Sequence, residues 1–113
     1  MKQDSVFLNH ILDEINFITR ALSDKNYDSF LADDTLKRAV SRSIEIIGEA
    51  IKNISETTRN KHPELEWKKI AGMRDKIIHD YFDVNWDIVW NAAKEKLPAL
   101  KENISAILRD TGK

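Results

Sequence analysis

Leu8, Ile11, Ile15, Ile18 and Leu22 recur at alternating steps of three and four, the spacing that lines up apolar side chains along one face of an α-helix. The same rhythm returns twice more. Leu36, Val40, Ile44, Ile47, Ile51 and Ile54 make a second stripe, and Trp86, Trp90, Ala93, Leu97, Leu100, Ile104 and Ile107 make a third. No segment alternates with period two for long enough to form a strand. The pattern predicts an all-α fold, an antiparallel bundle of four long helices with a possible fifth short one.

The spacing predicts helices over about 5–23 and 35–57, a third starting near Trp67, and a fourth starting at Trp86. Tyr27 to Leu31 forms either a short turn or a bent continuation of the first helix, and Asp33 or Asp34 is suited to cap the second. Gly48 and Gly72 fall inside helical stripes and are expected to let helices approach closely. Thr57 to Pro63 has no apolar rhythm and ends in proline, so it reads as the main loop. Asn85 is a cap with Asp87 in the first turn after it, and Pro98 inside the last stripe predicts a kink without a full stop.

The chain of 113 residues is long enough to bury one core, and a single domain over 1–113 is expected. It has no cysteine, so disulfides, thiolate zinc sites and a cysteine nucleophile are excluded. No apolar run approaches the roughly 20 residues that span a bilayer, and no signal-peptide core follows the N-terminus, so a cytoplasmic protein without membrane association is expected. Net charge is −1, but it is unevenly spread. Residues 37–76 carry ten Lys or Arg against six Asp or Glu, while residues 1–36 carry three against seven. The basic middle is either a phosphate-attracting surface or a set of solvated helix faces.

The densest chemistry lies in Arg74-Asp75-Lys76-Ile77-Ile78-His79-Asp80-Tyr81. A guanidinium carries permanent charge on a planar fork of donors that matches phosphate oxygens, and an imidazole titrates near neutrality. The pair points to phosphodiester chemistry. Residues five apart on an ideal helix are turned about 140° from one another, so Arg74 and His79 meet at one phosphate only if the helix ends or distorts there, or if two chains share the site across a two-fold axis. Sharing also supplies a second histidine, because cleavage at a ribose 2′-hydroxyl needs both a base and an acid. Ile46 beside Ile47 and Ile77 beside Ile78 put apolar groups on more than one helical face, which also favours a homodimer.

Each of these residues also has a plainer structural use. Tyr81 and Phe82 could plug the end of the bundle, His79 could cap a helix C-terminus, and Arg74 could pair with Asp75 or Asp80. A metal site from His79, Asp80 and Asp83 lacks a further histidine at ligand spacing, and no metal or other cofactor is expected. His10 reads as a helix-surface residue, His62 as a loop residue, and the three tryptophans as core.

Taken in order, Ile46-Ile47-Gly48-Glu49-Ala50, Trp67 through Arg74, His79 through Val84, Val89-Trp90 and Leu97-Pro98-Ala99-Leu100 make the chain resemble the HEPN superfamily, and within it the HepT-like toxins of prokaryotic toxin–antitoxin pairs. The resemblance implies a homodimeric, metal-independent endoribonuclease with Arg74 and His79 as catalytic residues of a cleft shared by two protomers, leaving a 2′,3′-cyclic phosphate on its RNA. It also implies a minimal nucleotidyltransferase antitoxin that can adenylylate Tyr81, a residue whose hydroxyl could otherwise hydrogen-bond the substrate. Asp75 and Asp80 are supporting polar residues, and Asp75 stands where an asparagine is common in such proteins. The alternative is a noncatalytic HEPN module that binds a nucleotide or the nucleotidyltransferase partner.

Overall fold

The computed structural model describes residues 2–77 and 85–111. All regular structure among them is helical. Two long helices, α1 (Lys2–Ala21) and α3 (Asp34–Lys52), pack along each other. A third rod runs from Trp86 to Thr111 as α7 (Trp86–Asn91), a π-helical turn over Ala92–Lys96, and α8 (Leu97–Thr111), and its C-terminal part lies against α1. Between the rods sit the short helices α2 (Tyr27–Ala32), α4 (Glu56–Lys61), α5 (Trp67–Ala71) and α6 (Met73–Ile77). No helix among the described residues is long and apolar enough to cross a membrane.

The three apolar stripes meet in one core. Leu8, Ile11, Ile15, Val40, Ile47, Ile51 and Ile104 are fully buried, each contributing about 1.5–3 kcal/mol by leaving water. The expected caps are present. Asp33 accepts from the Leu36 N–H at 3.0 Å at the start of α3, and Asn85 accepts from the Ile88 N–H at 3.2 Å at the start of α7. Tyr27 opens a separate helix whose cap, Asn26, forms a reciprocal capping box with Ser29.

Three local expectations change. The second long helix stops at Lys52 and not near 57, because Asn53 closes it and Ser55 starts a new one. The predicted loop over Thr57 to Pro63 therefore contains α4, capped by the Ser55 hydroxyl, which accepts from the Thr58 N–H at 3.3 Å, and tied to a distant residue. Asp4, on α1, accepts from the Ser55 N–H at 2.9 Å, from the Ser55 hydroxyl at 2.6 Å and from the Thr58 hydroxyl at 2.5 Å. The third helix is divided at Gly72, which caps α5 by donating to the Lys68 carbonyl. A Cβ on Gly72 would lie 3.2 Å from that same carbonyl, so this glycine serves a local chain break and not the approach of another helix.

The helix carrying Pro98 continues through the proline, as expected, but with a π turn before it in which the Leu97 N–H bonds to the Ala92 carbonyl. A proline ring cannot sit opposite the carbonyl four residues earlier in tight α geometry. A one-turn change to π spacing is an ordinary accommodation, and it leaves Pro98 in the first turn of α8, where its missing N–H costs little.

Candidate active site

The cluster picked out in the sequence is framed by α6 and α7. Arg74 and Asp75 lie on α6, Asp75 exposed. His79, Asp80 and Tyr81 lie outside the described residues, as do Phe82 and Asp83. The described chain flanks them with Ile77 at the end of α6 and Asn85 at the cap of α7. The expected meeting of Arg74 with His79 is therefore a relationship that the described residues do not include.

What the structure does give is the frame. On α6, Met73 is buried against the core while Asp75 and Lys76 are exposed. The buried Met73 anchors this one-turn helix and leaves Asp75 and Lys76 toward solvent. Helix α6 packs on α3 and on α7. Its neighbour α5 is fixed by Trp67, which is buried and donates its indole N–H to the His62 carbonyl at 3.0 Å. His62 thus acts as the end of α4, and its Nδ1 lies 3.3 Å from Glu64.

Helix α7 is held from the other side by an aromatic cluster. The fully buried Phe30 ring lies 5.3 Å from Trp90 and 6.1 Å from Trp86, and Tyr27 stacks edgewise on Trp90 at 5.9 Å. The Tyr27 hydroxyl donates to Asp87. Lys37 and Lys94 place their ammonium groups 5.1 Å and 5.0 Å from the Trp86 and Trp90 rings, contacts of roughly 0.5–1 kcal/mol each where solvent reaches them. Trp86 and Trp90 are thus structural, as their spacing suggested. The two helices that flank residues 78–84 in the chain, α6 and α7, thus both pack against α3.

Charge around α6 is mixed. Lys68, Lys69 and Lys76 are exposed, and Lys69 is paired with Glu66 at 3.5 Å. Among the described residues, no group of three or more His, Cys, Asp or Glu side chains is arranged to hold a metal ion. A groove of about 460 Å³ opens between α5–α6 and the Trp86–Thr111 rod, walled by Ile70, Met73, Ile88 and Leu100. Helical periodicity does not reveal this groove, because it cannot show that two apolar faces leave a gap between them.

The profile of the family described as "Ribonuclease HepT-like" matches residues 11–107, a span that includes the whole Arg74–Tyr81 cluster. The chain is 43% identical over 109 residues to "Putative RNase TTE0752" of Caldanaerobacter subterraneus, covering 96% of this chain and 97% of that one. It is 40% identical over 109 residues to "Putative RNase MJ0127" of Methanocaldococcus jannaschii, covering 96% and 90%. It is also 41% identical over 95 residues to "Probable ribonuclease HepT" of Thermococcus cleftensis, covering 84% and 86%. No solved structure gives a significant match.

Proposed function

Since the chain belongs to the HepT-like ribonuclease family, we propose that it is an endoribonuclease that cleaves RNA without a metal ion, through a site completed by a second copy of itself. The observation that carries this reading is the family match running through the Arg74–Tyr81 cluster, with nearly full-length similarity to proteins named as RNases.

In this reading His79 of one protomer takes the proton of a ribose 2′-hydroxyl, and the freed oxygen attacks the adjacent phosphorus. The 5′-oxygen leaves and takes a proton from the protonated His79 of the partner subunit. The products are a 2′,3′-cyclic phosphate and a 5′-hydroxyl, and no water is consumed. Arg74 holds the non-bridging oxygens and offsets the charge that builds on the phosphorane. Two protomers supply two histidines in opposite protonation states, which a single chain's cluster does not. Asp75 and Asp80 support the basic groups as polar neighbours.

We further infer that the protein is the toxin of a toxin–antitoxin pair whose antitoxin is a nucleotidyltransferase. Transfer of an adenylyl group from ATP to the Tyr81 hydroxyl releases pyrophosphate and leaves a negatively charged, bulky phosphodiester beside the site. Such a group repels RNA phosphates and fills the space they need.

The test is cleavage of a defined RNA by the purified protein in excess EDTA, with His79→Ala in parallel and the product ends identified. Cyclic phosphate ends that disappear in the variant are expected. Equal cleavage by both proteins, or cleavage by wild type only after metal is restored, would overturn the mechanism.

A further inference from the structure

The groove between α5–α6 and the Trp86–Thr111 rod has a composition that a filled core does not. Its walls are apolar, yet Ile88 remains 36% exposed within it. Its rim carries Glu64, Glu66, Lys69, Lys76, Lys96 and the amides of Asn91 and Asn103. Glu66 pairs with Lys69 at 3.5 Å, and Glu64 lies 3.3 Å from the His62 ring. Lys76 and Lys96 are exposed and form no ion pair among the described residues. With three lysines against two carboxylates, the net charge at the rim is positive. Apolar walls, two unspent ammonium groups and a side-chain amide that both donates and accepts together match a nucleotide: a flat apolar face, a phosphate and an edge of mixed donors and acceptors.

We propose that this groove binds the unpaired RNA nucleotide next to the scissile phosphate. The base lies against the Met73 and Ile88 walls, its phosphate faces Lys76 and Lys96, and Asn91 reads the base edge. The inference rests on the ribonuclease reading and adds to it a site for substrate choice. Continuity supports the assignment, because Met73 and Lys76 belong to the same one-turn helix as Arg74. Size supports it too, since about 460 Å³ is within the usual range of pockets for small ligands, about 300–1,000 Å³. The occupant must be single-stranded, because only an unstacked base can present its face to the walls.

The experiment is a titration of the full-length protein with an uncleavable 2′-O-methyl RNA hexanucleotide, following the methyl resonances of Ile88 and Met73, with RNA cleavage measured in parallel. Ala99→Trp places a bulky ring at the groove on an exposed position of α8, so it blocks the groove without entering the core. In the wild type both methyls shift on titration. Ala99→Trp weakens binding about tenfold or more, and Asn91→Ala alters the preference among oligonucleotides differing in one base.

Methyls that stay unmoved at saturating RNA would overturn the proposal, as would an Ala99→Trp protein that binds and cleaves like the wild type. A change in oligomeric state caused by Ala99→Trp would also overturn it, by identifying the groove as a surface between protein chains. RNA seated in the groove with no cleavage by wild type would instead sink the catalytic reading and leave the groove assignment standing.

Discussion

The Asp4 carboxylate accepts a hydrogen bond from the Thr58 hydroxyl at 2.5 Å, joining residues 54 apart in the chain. The same carboxylate takes two more bonds from Ser55, the residue that starts α4. Asp4 is only 2% exposed. Burial pushes its pKa up, but the hydrogen bonds from Ser55 and Thr58 outweigh burial and hold it below the ordinary value of 3.8. Asp4 thereby ties the first turn of α1 to the start of α4, the element that precedes α5 and α6.

Replacing Asp4 by alanine leaves the buried Thr58 hydroxyl and the part-buried Ser55 N–H without their acceptor. The expected loss is about 1–3 kcal/mol of folding stability, read from the midpoint of urea unfolding at neutral pH. An unchanged midpoint would show the cluster to be neutral.

The lowered pKa also gives a pH dependence. Because the folded value lies below the unfolded one, the carboxylate's contribution is complete above the ordinary value of 3.8 and fades as pH falls through the folded value. Wild type should therefore lose more stability than Asp4→Asn between neutral pH and about pH 2. Parallel loss in both proteins would remove Asp4 as the source.

Phe30 is fully buried among Trp86, Trp90 and the core. Phe30→Ala should cost about 3–5 kcal/mol and loosen α7, which borders the cluster. Thermal melting measures the first effect. Faster amide exchange at Val89 and Trp90 than in the wild type measures the second.

Arg74→Lys keeps the charge and removes the planar fork, so it separates the two roles of the guanidinium. If Arg74 grips the phosphorane through paired donors, the lysine variant should lose about 10²-fold or more in kcat while RNA binding changes much less. A variant with wild-type kcat would reduce Arg74 to a plain cation.

Tyr81→Phe should cleave RNA as the wild type does and should resist silencing by a nucleotidyltransferase antitoxin. Intact mass after incubation with antitoxin and ATP shows an added adenylyl group only on the wild type. An equal mass gain on the variant would place the modified residue elsewhere.

Much of the fold was written locally. Stripes at steps of three and four in α1, α3 and the last rod, and caps at Asp33 and Asn85, need only near neighbours, because helix faces and N-caps are set by residues a turn apart. The Arg74–Tyr81 cluster was legible for a related reason: its residue types announce their chemistry wherever they stand, and the ordered motifs around them pointed to the family. The sequence by itself thus determined the helical class, the main stripes and the family to which the candidate cluster belongs.

Only the tertiary structure decided the rest. Helix α4 forms where no periodicity marks it, and although Ser55 caps it locally, Asp4 from the first turn of α1 holds that cap in place. The groove beside α6 stays open between the apolar faces of α5–α6 and the last rod. Each outcome depends on how separate elements pack, and the energy of packing comes from contacts between residues that no local window contains.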